Sequence, residues 1–392
     1  MPTALLTLGR LPKALSVARA LRTQGYRVIV AEPFAWHVSR VSKDVAQTFR
    51  LPAPNSNPEA YQAALLALIA REGVDLVVPV SEEAHYVLAI REHLPPQVAL
   101  LGPKVDLYRT LADKAAFINC AVQKSLAAPR SALANSPLAA TLTETFDYVT
   151  KPINGCSGID VEFHCAGDVL KSNSADVLVQ QAVIGDVVSS LSMVKAGEVQ
   201  ATNVYKGSIF AGTVAICFER ITGDIAERVQ QWIHQFTQDM DYSGFIAFDF
   251  IVDTSGVPQA IECNPRLTSG IHFFDSESLG AALITDRKIA IKRHKNEAWQ
   301  WRYSTLTEAY AALFKGNLKE FWRRLKLCWS VADVVWSWRD PLPFLLMTPL
   351  SWPILKPALI EGISLGEACQ RDIAPLWSQP SAEAITGGDN AA

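Results

Sequence analysis

Apolar positions along the first hundred residues follow two alternating rhythms. "TALLTL" (ending at Gly9), "YRVIVAE" and "VDLVVPV" are short, nearly continuous apolar runs and predict strands. "LPKALSVARALRTQG" and "NPEAYQAALLALIAREG" repeat at helical spacing and stop at glycine, the second after an Asn cap. Strand alternating with helix predicts a parallel, doubly wound unit ending near Tyr108. The turn after its first strand, "LGRLPKA", has one glycine where a dinucleotide fingerprint has three, which argues against hydride chemistry.

The rhythm changes near Leu111. "TLADKAAFINCAVQKSLAAP" predicts a helix stopped before Pro129, and "FDYVTKPINGCSGIDVEF" a strand, a glycine-rich loop and a strand. "DVLVQQAVIGDVVSSLSMV" predicts two strands around an Ile-Gly-Asp break. "AERVQQWIHQFTQDMDYSG" predicts an amphipathic helix ending at Gly244, and "FIAFDFIVDTSGVPQAIECN" a hairpin. Beyond about residue 290 the pattern becomes mostly helical, and eight of the ten tryptophans lie between Trp299 and Trp377. Residues 379–392 are small and polar and are expected to be disordered.

Composition narrows the function classes. Of 392 residues, 49% are hydrophobic and 19% charged, enough apolar mass for two or three compact units. The net charge is −3 without a basic block, which disfavours a nucleic-acid partner. Seven cysteines without a CxxC pair, and no secretory signal at Met1, lead to the expectation of free thiols in a reducing cytoplasm. The apolar stretch 341–365 is interrupted by Pro341, Pro343, Pro349, Pro353 and Pro357, so no transmembrane helix is predicted. It reads as a helical appendage on the main body, with a peripheral membrane contact or an apolar substrate wall as alternatives.

The hairpin carries the sharpest chemical signal. A turn centred on Ser255-Gly256 pairs residues so that Asp253 faces Pro258 and Asp249 faces Glu262, with Asn264 on the same face. Phe245, Ala247 and Ile251, the other residues of that face, are apolar. Two carboxylates opposed on such a face repel each other, and burial penalises both. A divalent cation relieves both problems, and Asp, Glu and Asn are hard oxygen donors suited to Mg2+ or Mn2+. The alternative is a solvated face, or a register slipped by one residue. Cys263, on the opposite face, reads as packing.

A second signal is "TKPINGCSG". Lys151 at a strand end, followed by Gly155, Ser157 and Gly158, suits a loop whose amides approach phosphate oxygens; an ordinary turn with a surface lysine is the alternative. Lys114 in "LADKAAF" reads by itself as a solvated helix lysine. Gln180, Gln181, Ala182 and Val183 offer a strand edge for adenine, and Asp186 a ribose partner, if a nucleotide binds. "SEEAH" (Ser81, Glu82, Glu83) follows a strand where doubly wound sheets bind ligands, or is a solvated helix start.

This order of elements resembles the ATP-grasp superfamily from about Thr3 to Phe274, and within it the carbamoyl-phosphate-synthase-like group. "KALSVARAL", "FRLPAPNSNPEAY", "VDLVVPV", "GFIAFDF", "AIECNPR" and "WRDPLPF" are most similar to the ATP-grasp ligases of mycosporine biosynthesis. The resemblance implies a doubly wound parallel α/β domain (1–110) and a two-lobed α+β ATP-grasp domain (111–290, lobes dividing near 182/183). A mostly helical, Trp-rich extension (291–378) follows. It implies Lys114 and Lys151 on nucleotide phosphates and Gly155, Ser157 and Gly158 in a closing loop. Gln181, Ala182 and Val183 would border adenine, and Asp249, Glu262 and Asn264 would ligate magnesium. Arg266 would steady an acyl phosphate. The family often has a ribose-binding glutamate where this chain has Val187, with Asp186 beside it. The implied activity is an ATP-dependent, ADP-forming ligation of an acid to an amine, with small-molecule substrates and a homodimer as expected partners. A catalytically inactive ATP-binding protein and a membrane-associated module are the competing readings.

Overall fold

The computed structural model describes residues 1–155, 161–212, 214–285, 297–363 and 365–375. Ser157, Gly158 and the tail 379–392 lie outside the described residues.

Strands β1 (Thr3–Leu6), β2 (Arg27–Glu32), β3 (Gln47–Arg50), β4 (Leu76–Val78) and β5 (Ala99–Leu100) form a parallel sheet in the order β3-β2-β1-β4-β5. Helices α1 (Pro12–Thr23), α2 (Pro58–Glu72), α3 (Ala84–Leu88) and α4 (Val105–Ala112) connect or follow these strands; β1, β2, β4, α1 and α2 are those the apolar rhythm predicts, and β3, β5, α3 and α4 are additional. The first turn cannot serve a dinucleotide, because its amides are already used. Glu32 accepts from the backbone N–H groups of Gly9 (2.9 Å) and Arg10 (3.1 Å). Gly9 is required there, since a Cβ would lie 2.5 Å from His37 Nδ1.

The single helix expected over 110–128 is broken. Asp113 interrupts it and caps α5 (Lys114–Gln123) by accepting from the Ala116 N–H at 2.8 Å. Then come β6 (Ser131–Leu133), α6 (Pro137–Thr145), β7 (Tyr148–Pro152), β8 (Glu162–His164) and β9 (Val177–Gln181), giving a small antiparallel sheet ordered β6-β9-β7-β8. The larger sheet contains β10 (Gly185–Lys195), β11 (Glu198–Ala211), β12 (Val214–Arg220), β13 (Gly244–Asp253) and β14 (Pro258–Asn264). Helix α7 (Asp224–Thr237) packs on one face of it, around Phe248, Phe250 and Trp232. The other face, with Leu191, Phe245 and Ala247, shares a core with Leu6, Val30 and Val78 of the parallel sheet. Helix α8 (Ser276–Ile284) packs on α1 and closes that core.

The C-terminal region is mostly helical, but it is not a separate appendage. Strands β15 (Ala298–Gln300) and β16 (Ala332–Asp333) extend the large sheet beyond β12. Around them lie α9 (Arg302–Phe314), α10 (Leu318–Ser330), α11 (Leu342–Leu345), α12 (Met347–Leu350), α13 (Trp352–Glu361) and α14 (Leu365–Gln370). Among the described residues no helix is long and apolar enough to cross a membrane. The end of the chain is fastened to the first domain by Arg10. Its guanidinium is 3% exposed and bonds Glu32 (2.9 Å from Nε), Asp372 (2.6 Å from Nη1) and the Cys369 carbonyl.

Removing one member of such a buried ion cluster leaves uncompensated charge. Arg10→Met is expected to destabilise the protein by about 3–5 kcal/mol in urea unfolding. A loss below about 1 kcal/mol would show that the cluster is not a fastening.

Candidate functional site

The hairpin β13–β14 sets Asp249 directly opposite Glu262 and Asn264 opposite Ala247. The expected pairing of Asp253 with Pro258 does not occur; Val252 takes that place. The turn is a three-residue loop in which Asp253 N–H bonds the Val257 carbonyl at 3.1 Å, with Gly256 at φ +80°. This shifts the register by one residue, and a bulge at Ile261 restores it before the carboxylates are reached. Asp249 and Glu262 therefore meet as expected, by two compensating offsets.

Lys151 ends β7 and is buried. Its Nζ donates to Gln180 Oε1 at 2.9 Å and to the carbonyl of Ile261, the bulge residue, at 3.0 Å. Burial pulls its pKa down to about 8, with Glu262 pushing the other way. Lys114 is not a solvated helix lysine: it is 6% exposed, donates to the Gly155 carbonyl at 2.8 Å, and stands 3.9 Å from Glu262 Oε1. The two lysines, Gly155, Gln181, Ala182, Val183 and Glu262 border one cavity of about 200 Å³. Val149 and Phe163 on one side, and Ile251 and Ile261 on the other, give it apolar walls between the two sheets.

Asp186 is not brought to this cavity. Side chains alternate along β10, so Ser189 and Val187 share the site face, whereas Asp186 lies on the other face and is exposed. Val187 pairs with Ile251 and leaves an apolar edge at the position where a ribose-binding acid was sought.

Asp249 is pushed up to about 6, by burial first and by Glu262 second, against the hydrogen bond from Ser189 Oγ at 2.6 Å. Its other oxygen accepts from Asn264 Nδ2 at 3.2 Å, while Asn264 Oδ1 accepts from Arg266 Nη2 at 2.9 Å. A half-buried carboxylate facing another, with an amide alongside, is a donor set that fits a hard divalent cation. The Asn264 oxygen could join that set only with its amide turned over, since Arg266 now holds it. Cys263 is buried against Phe248 on the opposite face and burial raises its thiol pKa, which fits packing.

Glu82 and Glu83, read as ligand-site candidates or a solvated helix start, are buried. Glu82 Oε1 takes a 2.5 Å bond from Arg266 Nη2, tying the hairpin to the parallel-sheet domain. Glu83 accepts from Thr7 Oγ1 and from the N–H groups of Val80 and Ser81. Lys13, in the first turn of α1, is buried and donates to Ser81 Oγ (3.1 Å) and the Leu267 carbonyl (2.9 Å); burial lowers its pKa to about 7. Its signal was a lysine flanked by Pro12, Ala14 and Leu15, all core residues. A second space of about 160 Å³ adjoins the first through Gly155 and Glu262 and is bordered by Glu82, Asn264 and Arg266. The Asn154 amide oxygen on its edge is buried without a donor among the described residues.

Residues 111–270, which include both lysines and the hairpin, match the ATP-grasp domain family. That segment is similar to ATP-grasp domains. Solved structures share the chain's fold. The biotin carboxylase domain of the Hydrogenobacter thermophilus 2-oxoglutarate carboxylase, solved as a dimer with MgADP, ADP and bicarbonate, is 14% identical. It superposes with a TM-score of 0.58 over 74% of this chain and 72% of that one. N5-carboxyaminoimidazole synthetase from Staphylococcus aureus is 11% identical, with a TM-score of 0.59 over 74% and 80%. L-amino acid ligase from Bacillus licheniformis is 15% identical, with a TM-score of 0.56 over 72% and 74%. No curated protein matches the chain.

The raised Asp249 pKa makes a signed prediction for metal-free protein. Between about pH 4 and 6 the folded state keeps a proton that the unfolded chain has lost, so this group's contribution falls as pH rises. In chelator, Asp249→Asn is expected to be more stable than wild type at pH 7 by about 1–2 kcal/mol, with the advantage vanishing near pH 4. A variant less stable at pH 7 would contradict the buried-repulsion account.

Proposed function

We propose that the protein is an ATP-dependent ligase that phosphorylates an acid and joins it to an amine, releasing ADP and phosphate. The observation that carries this reading is the opposed pair Asp249–Glu262, whose Glu262 borders a cavity that also presents Lys114 and Lys151. In this reading the apolar walls take adenine, the edge Gln181-Ala182-Val183 borders it, and the lysines meet the phosphates. The resemblance would have Gly155, Ser157 and Gly158 in a loop over those phosphates. Asp249, Glu262 and Asn264 would hold Mg2+, which supplies charge neutralisation at the phosphates; Mn2+ suits the same donors.

An acid oxygen attacks the γ-phosphorus and ADP leaves with the bridging oxygen. Lys151 and Arg266 balance the charge that develops. The amine then attacks the acyl carbon, phosphate departs, and the amine loses one proton. Excluding water protects the mixed anhydride. This reading assigns no side chain a nucleophilic role and rests catalysis on positioning and charge. The amine is an amino acid, and the acid is a carboxylate or a vinylogous acid such as an enolised 1,3-dicarbonyl, the class that the mycosporine-type resemblance implies.

A phosphate-release assay with ATP, Mg2+ and pooled acids and amines tests the proposal. ADP and phosphate are expected; AMP and pyrophosphate, or no turnover with any pool, would contradict it. Glu262→Gln is expected to cut turnover about 100-fold or more while keeping the wild-type fold. Unchanged turnover would remove Glu262 from the site.

A further inference from the structure

Beyond Arg266 the molecule contains two more chambers that the ligase reading leaves unused. The first, about 210 Å³, is bordered by Arg266, Lys13, Ser81, Thr268 and His272, and among the described residues no carboxylate lines it. Lys13 spends two of its three protons on Ser81 and Leu267 and makes no other hydrogen bond among the described residues. His272 Nδ1 is engaged by Ser16 Oγ at 2.9 Å and burial holds the ring neutral near pH 7, so the charged groups of this wall are Arg266, which is paired with Glu82, and Lys13, which burial brings to about 7 and an incoming acid group would hold protonated.

The second chamber, about 100 Å³, shares Leu11, Val214, Trp301 and Gln370 with the first. Among the described residues no charged side chain lines it. Its sides are Ile216 and Ala211 of the large sheet, and its roof is Ile354 and Leu355 of α13 with Leu365 and Cys369 of α14. That roof is held in place, because Arg10 bonds Asp372 and the Cys369 carbonyl, and Asn55 bonds the Arg371 carbonyl. A row therefore runs from the lysine cavity, past Glu262, to Arg266, and on to an apolar end under the C-terminal helices. Together the last two chambers reach the lower end of the range for small-molecule sites, roughly 300–1,000 Å³.

We infer that the acid substrate carries an extended apolar body, seated between β11–β12 and helices α13–α14, with its acid group beside Arg266 and Lys13. The acid is the partner placed here because Arg266 borders both this row and the space next to Glu262 and Asn264, where phosphate transfer is proposed. The inference rests on the ligase reading for the role of the acid, but the binding site can be tested without turnover.

The probes are decanoate and butanoate, titrated calorimetrically into the full-length protein without nucleotide. Decanoate is expected to bind at least about ten-fold more tightly, well within what burial of its extra methylenes supplies. Leu355→Trp, which narrows only the apolar chamber, is expected to abolish that difference and leave butanoate binding unchanged. Ala211→Phe, on the opposite wall, serves if the first variant does not fold. Equal affinities in wild type, or a preference that survives in the folded variant, would overturn the inference and leave the ligase proposal standing. A parallel assay traps acyl phosphate as the hydroxamate with ATP, Mg2+ and hydroxylamine. Chain-length-selective binding without hydroxamate would support the apolar site and count against the ligase reading alone.

Discussion

Asp249 and Glu262 oppose each other on neighbouring strands, and the surrounding groups are arranged to make that tolerable. Ser189 and Asn264 donate to Asp249, Lys114 stands at ion-pair distance from Glu262, and Lys151 lies close enough to act on both. Even so, Asp249 keeps a raised pKa, through burial first and the Glu262 charge second. Two lysines and two carboxylates around one space suit a ligand of mixed charge, which a metal–nucleotide complex is. The stored repulsion and the binding capacity are thus two aspects of one arrangement.

The same hairpin also joins the molecule's parts. Arg266 follows Asn264 by two residues and reaches Glu82 of the parallel-sheet domain, and Leu267 offers its carbonyl to Lys13 of α1. The C-terminal segment returns to that domain through Arg10, and β15 and β16 lengthen the large sheet. Several remote pieces of chain therefore converge around Arg266. This convergence explains why the Trp-rich extension is apolar on its inner side, since Trp301, Ile354 and Leu355 wall a chamber as well as covering the sheet.

Local patterns carried much of this in advance. Alternating apolar runs disclosed the parallel sheet, and strand alternation placed Asp249, Glu262 and Asn264 on one face with Cys263 on the other. What stayed hidden depended on offsets and distant contacts. The bulge at Ile261 leaves no composition signal, yet it determines both the register and the carbonyl that Lys151 uses. Asp186 sits beside Val187 in sequence, but the period of two turns it to the opposite face. Lys114 read by itself as solvated, Glu82 as either a ligand-site acid or a solvated helix start, and Lys13 went unmarked, because burial by remote elements cannot be read from neighbours. The C-terminal strands, two or three residues long, are too short for periodicity to distinguish them from loop.

The central claim is that Asp249, Glu262 and Asn264 bind a divalent cation together with a nucleotide held by Lys114 and Lys151. Its most direct test is calorimetric binding of a non-hydrolysable ATP analogue to the wild-type protein with and without Mg2+. The account predicts affinity at least about ten-fold higher with Mg2+. The same affinity with and without the metal, or no binding in either case, would contradict it.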